Sequence, residues 1–321
     1  MSKKVIGIDL GGTNLVGALM IDGKIVKKEK IPTEADKGKD RVLDNIAILI
    51  EKLKKDDPEV KFIGIGTPGN VMEDGEIYGS PNIKGWHGTK LYDELKSRVS
   101  GIEVVAGNDV DVAALGEVVF GTNEELKKSK VAIFVALGTG IGGGIIIDGK
   151  VFTGAYNMAG EIGHMTIEVD GRECSCGKKG CWETYGSATG IKRTFVELYE
   201  KKGGKVESSL LKEKNINDIT TKDIYDWAKK GDKFSLEVTK IVNKHMAVGV
   251  GNLINIFNPD FIVIGGGVSL AGEFFFTPLR EEVKNHAFER MVELVKIIPS
   301  SLKDEAGLYG ACALAIERFY K

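Results

Sequence analysis

Apolar and polar positions along this chain fall into two rhythms, one of period two with glycine breaks and one of helical period. VIGIDLGG (5–12), NLVGALMID (14–22) and KIVKKEKI (24–31) are short β-branched runs separated by Gly and Asp-Gly, which predicts three successive strands joined by tight turns. DRVLDNIAILIEKLKKD then spaces its apolar residues for one helix face. VKFIGIGTPG and IEVVAGNDV read as buried strands, the second with a polar end, and DVAALGEVVFG opens a helix directly after it. From Val131 the order restarts with VAIFVALGTG and GGGIIIDGK. The polar, Lys-rich stretch 200–233 reads as surface structure, a long helix follows over about 234–257, and FIVIGGGVS is a buried strand with a triple-glycine exit. DEAGLYGACALAIERFY reads as a Gly-hinged apolar helix.

The restart is also a repeat. GTNLVGALMIDGK (12–24) and GTGIGGGIIIDGK (138–150) share seven of thirteen positions without a gap, and the match extends to eight of twenty-two over 5–26 against 131–152. Two similar α/β units, each opening strand, glycine turn, strand, predict a duplicated two-domain architecture with function in a cleft between the halves. The expected division is 1–112 with 302–321 as the N-terminal α/β domain and 113–301 as a larger C-terminal one. The copies differ where it matters chemically: Asp9 in the first aligns with Val135 in the second.

Composition narrows the function classes. An apolar fraction of 42% with 28% charged residues is ordinary globular usage, and a net charge of -2 leaves no basic footprint for nucleic acid. No window approaches eighteen apolar residues and the start lacks a secretory signal, so no membrane role is expected and the cytoplasm is the expected compartment.

Candidate chemistry gathers at four places. Asp9 followed by Gly11, Gly12 and Thr13 sets a carboxylate at a strand end before a turn whose backbone N–H groups can approach an anion; a plain β-hairpin remains open on this motif alone. Gly138-Thr139-Gly140 repeats the turn, so two such hairpins could hold successive phosphates, with Asp9 binding magnesium through water. Gly265-Gly266-Gly267 is a third close-approach loop. Asn108-Asp109 lies where a strand meets a helix, and Asp109 is either a functional carboxylate or the helix N-cap.

The most specific feature is His164 with Cys174, Cys176 and Cys181, spaced His-x9-Cys-x-Cys-x4-Cys and accompanied by Gly177 and Gly180. Three thiolates and an imidazole are a structural zinc set with no open coordination position; a disulfide with two idle residues is the alternative. Such a metal would fix Glu161, His164 and Glu183 in one place. Cys312 reads as a small core residue of the last helix.

These motifs together resemble the ROK family of bacterial sugar kinases and repressors, and most closely its glucokinases. DLGGTN, GIGTPG, SPNIKGW, NDVDVAALGE, LGTGIGGG, GEIGH, CSCGKKGCWE and NPDFIVIGGGVS occur in the family's order over nearly the whole chain. The resemblance implies an actin-like ATPase (ribonuclease H-like) duplicated α/β fold using ATP, Mg2+ and structural Zn2+. It implies Asp109 as the base that takes the sugar hydroxyl's proton, and Gly69, Asn82, Asn108, Glu161, His164 and Glu183 as sugar contacts. Gly11, Gly12, Thr13, Thr139 and Gly140 would hold phosphates, and Gly266 and Gly267 the nucleoside. His164 would serve both zinc and sugar, one ring nitrogen each. Asn14 stands where the family often has Lys. The repressors' helix-turn-helix domain is not expected, because the first strand begins close to Met1. The implied activity is glucokinase, with another hexose such as N-acetylmannosamine or fructose, or a non-catalytic sugar-responsive regulator, as alternatives. Homodimers or homotetramers are the family's expected assembly.

Overall fold

Asp22 and Gly23 take φ of 48° and 79°, and Asp148 and Gly149 repeat this with 49° and 75°. Two consecutive positive φ values make a type I′ turn, whose twist matches paired strands and which favours Asp-Gly. The duplicated Asp-Gly-Lys is therefore the same hairpin turn built twice.

In the computed structural model, which describes residues 2–79 and 82–320, the repeat extends to whole sheets. Ser80 and Pro81 of the SPNIKGW motif, with Met1 and Lys321, lie outside the described residues. The first sheet runs Lys24–Pro32, Asn14–Ile21, Lys4–Leu10, Phe62–Thr67, Glu103–Asn108, and the second Lys150–Val151, Ile141–Ile147, Val131–Leu137, Phe261–Gly265, Lys296–Pro299. Numbered within each copy, both have the order 3-2-1-4-5. In the first, Lys4–Leu10 pairs antiparallel with Asn14–Ile21 and parallel with Phe62–Thr67. In the second, Val131–Leu137 pairs parallel with Phe261–Gly265. The duplicated α/β architecture expected from the repeat is thus present. Lys24–Pro32 ends the first sheet with alternating half-buried and exposed residues, four of them lysines, a pattern that discourages pairing at an open edge.

The chain divides into two compact units, 1–128 with 144–160 and 301–321, and 129–143 with 161–300. The first unit reaches beyond the expected 1–112 because helix Asp109–Phe120 packs along helix Ala306–Phe319. Its core joins Ile6, Ile8, Ile63 and Ile65 of the sheet to Leu43, Ile46 and Leu49 of helix Lys39–Lys54. The core of the second unit centres on Trp182, Phe195, Met246, Leu253 and Phe275.

Two sequence expectations change here. The last helix is continuous through Gly307 and Gly310, so its glycines are contact points and not a hinge. A Cβ on Gly310 would stand 1.7 Å from the Val112 carbonyl oxygen. Gly310→Ala must force two backbones apart and is expected to cost about 3 kcal/mol, read as a lower urea midpoint; an unchanged midpoint would contradict this packing. The stretch 200–233 is not merely surface. Leu210, Ile219, Ile224 and Tyr225 are buried in the second unit's core, and a Thr220–Asp223 capping box starts helix Thr221–Lys229. Its charged residues lie on the opposite helix face, which masked the apolar one. Among the described residues no helix is long and apolar enough to cross a membrane.

Candidate active site

The first glycine turn joins Lys4–Leu10 to Asn14–Ile21. Gly11 N–H donates to the Asn14 carbonyl at 3.1 Å, and Thr33 pins the turn from outside, its hydroxyl to the Gly11 carbonyl at 2.6 Å and its N–H to the Thr13 carbonyl at 2.9 Å. Gly12 and Thr13 remain exposed at the tip. Thr33 is twenty residues from the turn it locks, and no local pattern reveals it.

Asp9, next to last in the first strand, sets its carboxylate against Gly307, where a Cβ would come within 2.9 Å of it. Burial, and secondarily the negative charge of Asp109, push the Asp9 carboxyl up to about 6 from 3.8. The Asp109 charge thus acts on the Asp9 carboxyl. Ionised Asp9 makes no compensating hydrogen bond or ion pair among the described residues, so the position fits a divalent cation.

The sign of the shift gives a test. A carboxyl whose folded value exceeds its unfolded value adds stability fully below about pH 3.8 and loses it as pH rises through about 6. Above that window the buried charge costs up to about 3 kcal/mol. Asp9→Asn is expected to raise the metal-free unfolding free energy at pH 8 by an amount of that order, with the gain fading toward pH 4. A variant equally destabilised at both pH values would refute the assignment.

Asn108 and Asp109 divide the strand-to-helix junction. The Asn108 side-chain oxygen accepts from Val110 N–H at 2.9 Å and Asp111 N–H at 3.4 Å, while its amide donates to the Gly69 carbonyl at 3.3 Å. Asn108 is the N-cap, and Asp109 is the first helical residue, its Oδ1 accepting from Val110 N–H at 2.9 Å. The capping alternative for Asp109 thus falls to its neighbour. Gly69 has φ of 90° and follows strand Phe62–Thr67, whose last residue accepts from the buried Trp86 indole at 3.0 Å. Asn82 is exposed on the turn that Ile83 and Trp86 anchor.

In the second unit, Thr139 is exposed in the turn after Val131–Leu137, and the Gly138 carbonyl accepts from Ala188 N–H at 2.9 Å at the start of helix Ala188–Lys201. Val135, in the place of Asp9, is fully buried. A Cβ on Gly140 would lie 2.6 Å from Glu183 Oε2, so glycine there admits the carboxylate. Gly138 and Gly267 both border a cavity of about 420 Å³, next to Gly266 at the exit of strand Phe261–Gly265.

His164, Cys174, Cys176 and Cys181 converge, with one ligand atom from each lying within 4.8 Å of the others. Cys174 Sγ is 3.6 Å from His164 Nδ1, and Cys176 Sγ is 3.6 Å from Cys181 Sγ. Tetrahedral zinc with these ligands requires separations of about 3.5–3.8 Å, whereas a disulfide requires about 2.05 Å. Gly177 and Gly180 turn the loop with φ of 83° and 74°. His164 gives Nδ1 to the cluster; its Nε2 lies 3.9 Å from Glu161. Glu183 Oε1 is 3.1 Å from Cys174 Sγ and 3.7 Å from His164 Nδ1, so Glu183 touches both the cluster and the second glycine turn.

A framework that sequence reasoning missed holds this loop to the unit. Arg172 lies 4.5 Å over the Tyr185 ring, donates to the Thr184 carbonyl at 2.7 Å and pairs with Glu197 at 2.7 Å. Tyr185 in turn stacks on His245 at 4.4 Å. These partners are scattered over seventy residues with no shared motif.

A ROK family profile matches residues 5–318. The chain is 38% identical over 317 residues to a glucokinase of Thermotoga maritima, with 98% of each covered. It is 34% identical over 319 residues to a xylose repressor of Caldicellulosiruptor bescii, covering 97% of this chain and 78% of the repressor. A solved ROK family glucokinase from Streptomyces griseus, in complex with glucose and AMPPNP, matches with a TM-score of 0.80 at 30% identity, covering 98% of this chain and 100% of the other.

Proposed function

The chain belongs to the ROK family, and from that premise we infer that it is an ATP-dependent glucokinase, built on the actin-like fold of the family's sugar kinases and transferring a phosphoryl group to the 6-hydroxyl of glucose. The observation that carries the reading is the carboxylate pair. Asp109 opens a helix whose cap is supplied by Asn108, and its charge reaches Asp9 beside the first glycine turn.

Asp109 is the general base. A sugar hydroxyl is a poor nucleophile, and a carboxylate within hydrogen-bond reach speeds attack by about 100- to 10,000-fold by accepting its proton as the bond to phosphorus forms. Gly69, Asn82, Asn108, Glu161, His164 and Glu183 orient the sugar, with His164 using Nε2. Gly11, Gly12, Thr13, Thr139 and Gly140 hold phosphates through backbone and hydroxyl donors, and Gly266 and Gly267 border the nucleoside. Asp9 holds Mg2+ through water; when bound, this ion offsets the phosphate charge. His164, Cys174, Cys176 and Cys181 hold Zn2+, whose role is to fix the loop carrying His164 and Glu183.

A coupled ADP-release assay over a panel of hexoses tests the reading. Glucose is expected to give the highest kcat/KM, and preference for N-acetylmannosamine or fructose would move the specificity within the class. The repressor relative supports a second reading, sugar binding without turnover. Calorimetric glucose binding with no ADP release would favour it.

A further inference from the structure

Between helix Lys233–Phe257 and helix Glu273–Val283 of the second unit lies a cavity of about 630 Å³, within the size range of small-molecule sites. Leu236, Phe274 and Pro278 give it an apolar wall, and Asn243 lines it from the longer helix. Asn243 is only 7% exposed, yet its side-chain oxygen makes no hydrogen bond among the described residues. A buried amide oxygen without a donor is costly, so it marks a place where a ligand can supply one. The Phe274 carbonyl lacks its regular helical donor as well, because Pro278, four residues on, has no N–H. The hydroxyls nearby are committed to the protein itself. Thr239 donates to the Leu236 carbonyl at 3.0 Å, and Thr277 to the Glu273 carboxylate at 2.8 Å, where Arg280 also donates at 2.7 Å. Charge remains on both helices. Lys240, which makes no ion pair among the described residues, borders the cavity from one helix, and Glu282, 3.4 Å from His286 through Oε1, borders it from the other.

A ligand that matches this lining carries donors for Asn243 and Glu282, an anionic group for Lys240, and an apolar body for Leu236, Phe274 and Pro278. A free α-amino acid with an apolar side chain has that set, since its ammonium only donates and its carboxylate only accepts. A neutral sugar would leave both the charges and the apolar wall unused. A phosphate ester would meet two carboxylates, Glu273 and Glu282, against one available ammonium. Phe274 links the cavity to a second one. Its ring stands edge-on to that of Tyr225 at 6.3 Å, and Tyr225 lines the 420 Å³ cavity beside Gly138 and Gly267.

We propose that the cavity between these two helices is an effector site for a free α-amino acid with an apolar side chain, which changes nucleotide affinity through Phe274 and Tyr225. The effect on nucleotide rests on the kinase reading, whereas binding of the amino acid does not. Calorimetry with L-leucine and L-phenylalanine tests it, with leucinamide and N-acetylleucine as probes that each lack one of the two charges. At least one of the amino acids is expected to bind with a Kd of about 1 mM or tighter, and both derivatives about tenfold more weakly than leucine. Asn243→Ala removes an unpartnered group, so it is expected to fold as the parent does and to weaken binding about tenfold. Lys240→Ala, at an exposed position, should weaken it by a similar factor. Saturating amino acid is expected to change the Kd for ADP about fivefold or more. Absence of binding up to about 10 mM, equal affinity for the two derivatives, or variants that bind as the parent does would overturn the proposal. Binding that leaves the Kd for ADP unchanged would overturn its effector role. Absence of ADP binding under every condition would count against the kinase reading instead, and the amino acid affinities would still decide the site.

Discussion

Asp109→Asn is expected to fold as the parent does, bind glucose with similar affinity, and lose about 100- to 10,000-fold in kcat. Folding is preserved because the helix cap belongs to Asn108, whose side chain serves both Val110 and Asp111 N–H groups and reaches Gly69. The amide at 109 keeps a carbonyl oxygen to accept from Val110 N–H, as Asp109 Oδ1 does at 2.9 Å. What it cannot do is take the hydroxyl proton. The same substitution removes the negative charge that helps push Asp9 up to about 6, so Asp9 is expected to titrate lower in the variant. Steady-state kinetics, calorimetry and carboxyl NMR check these three outcomes together. A variant with near-parental kcat would remove Asp109 from the role of base, and one that does not fold would show that the cap is shared.

Withdrawal of the zinc proposed at His164, Cys174, Cys176 and Cys181 is expected to have the second large effect. Four ligands of this kind would close a zinc ion's coordination sphere, and structural zinc in small modules binds with about 10–16 kcal/mol of apparent free energy. Here Arg172, Tyr185 and His245 hold part of the loop independently, so only a share of that is expected to appear as global stability. A loss of several kcal/mol lowers the thermal midpoint by about 10 °C or more. Chelator-treated protein and Cys181→Ser should both show this fall and contain no zinc, and treated protein should regain activity with zinc but not with magnesium alone. Cys181 is fully buried next to Trp182, so its loss also disturbs the core. Cys312, packed on Gly7 in the other unit, is the control: Cys312→Ala should leave zinc content unchanged. Full stability and activity at zero zinc would contradict the structural role.

What the sequence made legible was what is encoded locally. The Asp-Gly turns need two positive φ values and so mark both hairpins, and the cysteine spacing with its two glycines marks the cluster. Asp109 was ambiguous because N-cap and first-turn positions favour the same acidic residues; only the atomic contacts of Asn108 separate them. Contacts between distant segments left no trace in the pattern. Thr33 locking the first turn, Gly307 against Asp9, and Gly140 against Glu183 are each one ordinary residue that a remote element makes necessary. The glycines of the last helix looked like hinges for the same reason: a missing side chain signals either freedom or a close neighbour. The stretch 200–233 misled because one apolar helix face carries the core among many lysines.

The central claim is that phosphorus moves from ATP to one sugar hydroxyl. Phosphorus NMR of a reaction containing the purified protein, glucose, ATP and Mg2+ tests it most directly. The account predicts glucose 6-phosphate and ADP appearing in equal amounts, with no product from the Asp109→Asn variant on the same time scale. Release of inorganic phosphate without a sugar phosphate, or a sugar phosphate formed equally by the variant, would contradict it.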